Sequence, residues 1–157
     1  MDLDDFDLRL LERLQIDART PMADLAEVVG LSAPACYRRI RRLRSIGAIE
    51  REVAVVSPKT MGWRLVMFVL VTLDREGPRT VDEVMGRLAR MPEVASVSLV
   101  TGDFGFVVRL VARDMEHYGE LTQRMFTDDE RVKGFTTLVV RREAKITAAL
   151  KASGSLP

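Results

Sequence analysis

The sequence has little of what most catalytic and extracellular proteins are built on. Its 157 residues include one cysteine and one histidine. A single cysteine excludes an internal disulfide, and with it a disulfide-stapled extracellular scaffold. The lone histidine, His117, has no cysteine near it, so the usual zinc ligand sets are excluded. No Ser/His/Asp or Cys/His constellation can be assembled around it either. The longest apolar run, residues 65–71, has the length of a strand and not of a membrane helix. No signal-peptide pattern is expected, so the chain is placed in the cytoplasm with no membrane partner. An excess of one charge is also missing: the formal net charge is +1. Hydrophobic residues make up 47% and charged residues 30%, ordinary for a globular protein of one medium or two small domains.

What is present is an uneven placement of charge. Over residues 1–36 acids (Asp2, Asp4, Asp5, Asp7, Glu12, Asp17, Asp24, Glu27) outnumber bases (Arg9, Arg13, Arg19). Over residues 37–51 Arg38, Arg39, Arg41, Arg42, Arg44 and Arg51 face only Glu50. Such asymmetry is the footprint of a nucleic-acid-reading element. Residues 22–47 then read as helix, turn, helix. Asp4 caps a preceding helix whose Phe6, Leu10, Leu11 and Leu14 share one face. Pro21 or Met22 opens the second helix, Leu25, Val28 and Val29 give it an apolar face, and Gly30 ends it in a left-handed conformation. Ser32 is an N-cap, and Pro34 is tolerated in the first turn.

On the third helix Cys36, Ile40, Leu43 and Gly47 form the inward face, and Cys36 reads as a small core residue. Pro34, Arg38, Arg41, Arg42 and Ser45 lie opposite, flanked by Tyr37, Arg39 and Arg44. A solvated arginine face would produce the same pattern. Two features favour DNA: the outward face has hardly any acid to pair with its arginines, and the helix, turn and cap have the lengths a helix-turn-helix requires. Arginine reads guanine edges and also binds phosphates. The candidate DNA-contacting residues are Ser32, Pro34, Tyr37, Arg38, Arg39, Arg41, Arg42 and Arg44.

The second half changes character. Residues 48–57 read as a strand-like connector, with Pro58 and Gly62 marking a boundary. The expected division is a DNA-binding head over 1–50, a connector strand and hinge over 51–62, a second domain over 63–145 and a tail over 146–157. Within the second domain, strands are expected over 63–74, 94–101, 104–112 and 132–142. A helix follows Thr80-x-x-Glu83, a capping-box signature, and another runs from the Asp114 cap to about Thr127. Met85, Met91, Met115 and Met125 read mainly as helix-face core, and His117 as exposed. The order β-α-β-β-α-β is the ferredoxin-like split motif, so the fold class is α+β, a helix-turn-helix followed by a ferredoxin-like domain. Both helices cover one sheet face, yet residues 68–71 and 138–140 are apolar at consecutive positions, so a second copy is expected to cover the other face.

With these elements in order, the sequence resembles the Lrp/AsnC (feast/famine) family of transcriptional regulators along nearly its whole length. The likeness rests on the 4–14 opening, Leu25-Ala26, Val29-Gly30-Leu31-Ser32, Cys36, Arg39-Ile40-Arg41-Arg42-Leu43 and Gly47-x-Ile49. In the second half it rests on Gly102-Asp103-Phe104, Asp114-Met115, Tyr118, the spacing from Val132 to Thr137, and Lys145. The resemblance implies that the helix-turn-helix is a winged one and that the chain acts as a homodimer on double-stranded DNA, often assembled into octamers or other multiples of dimers. It implies no cofactor, but an amino acid effector held at interfaces between the second domains near residues 101–106. On that basis the candidate effector residues are Thr101, Gly102, Asp103, Phe104, Gly105, Met115 and Thr137. Met115 matches a position tied to ligand response, backbone N–H groups at Gly102 can hold a carboxylate, and Thr137 offers a strand hydroxyl.

Three positions depart from the family pattern. The family's loop has a second acid where this chain has Gly105, and a glycine cannot pair with an ammonium group. Either the effector differs, another acid substitutes, or there is no such effector. Ala33 and Ala35 stand where many relatives have prolines, which bears on DNA sequence preference. Glu52 stands where relatives often have tyrosine. Two other functions stay open: an effector-independent architectural protein that wraps DNA, and, more remotely, an enzyme resembling siroheme decarboxylases, which use several histidines where this chain has one.

Overall fold

The computed structural model describes residues 3–75 and 77–144; Lys145 and the tail over 146–157 lie outside the described residues. The chain divides into two compact units, one reaching to Ala54 and one spanning Val55–Ala144. The division falls inside the segment expected to connect two domains.

The first unit is three helices: α1 (Asp5–Ile16), α2 (Met22–Val29) and α3 (Ala33–Ser45). Each end has a local cause. Asp4 and Asp7 form a reciprocal capping box at the start of α1. Gly30 stops α2 at φ 78°, a left-handed conformation that glycine adopts without steric cost. Ser32 caps α3, and Pro34 sits in its first turn. Leu10, Leu25, Val29, Cys36, Ile40 and Leu43 bury their side chains together as the core of this unit. Cys36 is a buried free thiol within it.

The second unit is an antiparallel sheet of order β2-β3-β1-β4. Its strands are β1 (Leu65–Leu73), β2 (Val94–Leu99), β3 (Phe106–Ala112) and β4 (Val132–Val139). Helices α4 (Pro78–Leu88) and α5 (Met115–Thr122) complete the split β-α-β-β-α-β order. Alternation along β1 points Met67, Val69, Val71 and Leu73 into the core with Phe106, Val108, Leu110, Val84, Leu88, Leu121, Met125 and Phe126. The opposite residues Val66, Phe68 and Leu70 are only partly buried. In register with them, Leu138 on β4 is 52% exposed. One sheet face is therefore apolar and left uncovered by the described residues.

Local signals were overridden in three places. Helix α4 starts at Pro78 with Gly77 as an N-cap that makes no side-chain bond, so the Thr80/Glu83 capping box does not form. Proline's fixed φ opens the helix three residues earlier, with Gly77 in place of Thr80 as N-cap, and Glu83 instead accepts from Arg79 and Arg131. The α5 helix continues from Gln123 to Thr127 as a π-helical turn, a feature without a simple sequence signal. The expected connector strand is absent: residues 50–57 form no strand. Their valines suit a strand, but a strand also needs a ladder partner. Val53, Val55 and Val56 stand 68%, 90% and 52% exposed.

Candidate nucleic-acid interface and effector region

The amphipathic pattern of α3 is satisfied in the expected direction. Cys36, Ile40 and Leu43 are buried, while Pro34, Tyr37, Arg38, Arg41, Arg42, Arg44 and Ser45 are exposed. Ser32 holds the helix start, its hydroxyl accepting from the Ala35 N–H at 3.4 Å.

The arginines are not equivalent. The expectation that they lack acidic partners is overturned, because Asp4 and Asp7 reach them from 32 to 35 residues away and Glu52 from 8 residues away. Arg39 donates to both carboxylate oxygens of Asp4 (2.9 and 2.8 Å) and to Asp7 Oδ1 (2.8 Å). Its guanidinium also lies 5.5 Å from the Phe6 ring centroid. Arg42 donates to Asp7 Oδ2 at 2.9 Å. Arg44 donates twice to Glu52 Oε1, at 3.0 and 2.5 Å. Among the described residues no hydrogen bond or ion pair holds Arg38 or Arg41.

The Asp7 side chain is only 2% exposed, and each of its oxygens receives an arginine. The hydrogen bonds that Arg39 donates to Asp7 and Asp4 raise its pKa above the ordinary value. The Asp7 backbone N–H and then Arg39 hold the Asp4 carboxyl below the usual carboxylate range. Sequence reading missed this cluster. A signal was available: Asp4 and Asp7 have the spacing of a capping box, which brings their carboxylates together, and Arg39 and Arg42 are three apart on one helix and share its face.

The candidate effector residues are not gathered into one pocket by this chain. Thr101, Gly102 and Asp103 are exposed in the loop between β2 and β3. Gly105 is buried at the ladder's end, its N–H donating to Val71 O at 3.0 Å and its carbonyl accepting from Val100 N at 2.9 Å. Met115, 57% exposed, follows the other end of β3. The intervening strand runs at about 3.3 Å per residue, which puts roughly 20 Å between loop and methionine. Thr137 pairs with Val69, whose side chain lies in the core, so it faces the helix layer, where its hydroxyl is hydrogen-bonded to Tyr118 Oη.

His117 is also not where expected. Its side chain is 11% exposed. The ring stacks on Trp63 with centroids 6.1 Å apart, and Nδ1 accepts from the Arg113 N–H at 3.3 Å. Nε2 lies 4.0 Å from Glu93. Among the described residues no group of three His, Cys, Asp or Glu side chains could hold a metal ion. No described helix is long and apolar enough to cross a membrane.

Comparison with known proteins agrees with this two-part architecture. The AsnC-type helix-turn-helix domain matches residues 3–44, and the Lrp/AsnC ligand binding domain matches residues 66–150. The chain therefore belongs to the Lrp/AsnC family of transcriptional regulators. It is a DNA-binding regulator with a ligand-binding domain, and the enzyme reading falls away because the family and its relatives are regulators.

A helix-turn-helix-type transcriptional regulator of Sinorhizobium fredii is 43% identical over 150 residues, covering 96% of this chain and 89% of that one. The leucine-responsive regulatory protein of Rhizobium meliloti is 31% identical over 145 residues, covering 92% of this chain and 93% of that one. Among solved structures, a Neisseria meningitidis transcriptional regulator in complex with L-methionine superposes with a TM-score of 0.90 at 25% identity. That match covers 99% of this chain and all of the other.

Proposed function

We propose that this regulator acts in the cytoplasm as a homodimer on double-stranded DNA, built up into an octamer or another multiple of dimers, and is modulated by an amino acid. The observation that carries the DNA reading is the exposed arginine face of α3, above all Arg38 and Arg41. Two such helices about one helical turn apart (~34 Å) would enter successive major grooves of a two-fold site. Arg38→Ala and Arg41→Ala are each expected to weaken binding to the chain's own promoter region about tenfold or more. Salt-independent affinity in the wild type, or unchanged affinity in the double variant, would sink the reading.

The apolar sheet face carrying Phe68, Leu70 and Leu138 supports dimerisation through the second unit. The distance between the 101–106 loop and Met115 supports an effector site assembled from more than one copy. The leucine-responsive relative and the L-methionine complex make an apolar amino acid the first ligand class to try. Thermal shifts with the twenty amino acids test this: a ligand at a hundredfold over its Kd stabilises by about 2.7 kcal/mol. Gly105 favours one second reading, an effector-independent DNA-wrapping protein, which predicts no shift with any amino acid and unchanged DNA binding in their presence.

A further inference from the structure

We propose that Asp7 is the positioning residue of the recognition helix. Its buried carboxylate bridges Arg39 and Arg42, sets the rotation of α3, and leaves Arg38 and Arg41 as the arginines that meet DNA. The inference rests on the DNA-binding reading and deepens it.

Helical geometry places the parts. At 100° per residue, Pro34, Arg38, Arg41 and Ser45 fall on one stripe opposite the buried Cys36, Ile40 and Leu43. Arg39 and Arg42 lie to one side of that stripe and Arg44 to the other. Both flanks are tied down. Asp7 and Asp4 hold the first, from 32 to 35 residues away in sequence. Glu52 holds the second. The stripe between them carries the two arginines with no partner among the described residues.

The apolar contacts of α3 are small side chains and branched aliphatics, which tolerate some rotation because burial is non-directional. A carboxylate that is 2% exposed does not tolerate it. Each oxygen must keep its donor or remain an uncompensated buried charge. The cost of turning α3 therefore comes from Asp7 more than from the core. The hydrogen bonds that Asp4 adds to Arg39 strengthen the same flank.

The test uses the full chain and two duplexes, its own promoter region and a scrambled sequence of equal length, titrated across salt concentrations. Asp7→Asn is expected to lower the ratio of specific to non-specific affinity about tenfold, the worth of one displaced base contact. The pair Arg39→Gln/Arg42→Gln should lower it equally while leaving the salt slope unchanged, since anchored arginines release no counterions. Combining all three substitutions should cost no more than either set alone, because they break one unit.

A slope that falls by about one per arginine, costs that add, or an unchanged ratio in Asp7→Asn would overturn the proposal. Where thermal melts show that Asp7→Asn does not fold, the slope of the arginine pair decides the case without it. A wild type lacking salt-dependent binding defeats the DNA reading itself; a wild type that binds, with arginine variants of reduced slope, defeats only the role of Asp7.

Discussion

The two units solve the placement of function differently. In the first, every candidate contact sits on one 13-residue helix or caps it, and the surrounding acids decide which arginines remain available. In the second, the candidate residues are split between the two ends of β3 and the body of β4, and no stretch of chain carries a site of its own. Both units use a clustered carboxylate with two arginines. Asp129 is to the second unit what Asp7 is to the first: its side chain is 9% exposed and meets Arg87 at 2.6 Å and Arg131 at 2.8 Å. Arg87 also donates to Met125 O inside the π-helical turn, and Arg131 reaches Glu83 on α4. That cluster ties α4, the π turn and the approach to β4 into one body. The same chemistry thus orients a binding surface in one unit and closes a scaffold in the other.

The comparison can be broken at several points, the largest effect first. Phe106 is fully buried in the second core. Phe106→Ala is expected to cost about 3–5 kcal/mol in urea unfolding. If the units are energetically separate, the transition of the helical unit stays in place; a single shifted transition would show that they unfold together. Leu138→Lys puts a charge on the uncovered sheet face, and sedimentation is expected to show a shift from dimer toward monomer while the unfolding midpoint of the monomeric core changes little. An unchanged sedimentation coefficient would move the dimer interface elsewhere.

The Asp129 cluster predicts a pH dependence. The hydrogen bond from Arg131, and the nearby charge of Arg87, hold the Asp129 carboxyl below its ordinary value of about 3.8. A depressed folded-state pKa contributes stability that is present above the unfolded value and lost as pH falls through the folded one. Acid unfolding of the wild type should therefore steepen below about pH 4, and Asp129→Asn should flatten that limb while being less stable at neutral pH. The smallest effect belongs to Glu52→Gln. Glu52 and Arg44 are both largely exposed, so their ion pair is worth about half a kcal/mol or less. Freeing Arg44 should raise DNA affinity about twofold at low salt, with the difference vanishing at high salt.

How much was legible in the sequence follows the range of the interactions. Gly30, Ser32 and Pro34 act on their immediate neighbours, and the spacing of Cys36, Ile40 and Leu43 marks a face whatever packs on it. The order of strands and helices in the second unit was readable for the same reason. The Thr80 capping box failed because Pro78, a competing local signal, opened the helix first. The connector strand failed because 50–57 has strand composition and no ladder partner. His117 was expected at the surface, yet Trp63 covers its ring from 54 residues away in sequence. The arginines of α3 look unpaired in the sequence because the charge window 37–51 stops one residue short of Glu52 and leaves out Asp4 and Asp7, which lie two helices back in the chain.

The sequence by itself determined the element order, the helix caps, the apolar faces and the arginine-rich helix, because each depends on residues within a few turns or strands of one another. Only the tertiary structure decided which arginines are held and which are free, because Asp4 and Asp7 reach Arg39 and Arg42 only once α1 and α3 pack. It alone also decided that Thr137 faces the helix layer and bonds to Tyr118, because the register between β1 and β4, and not chain proximity, sets which strand residues share a face.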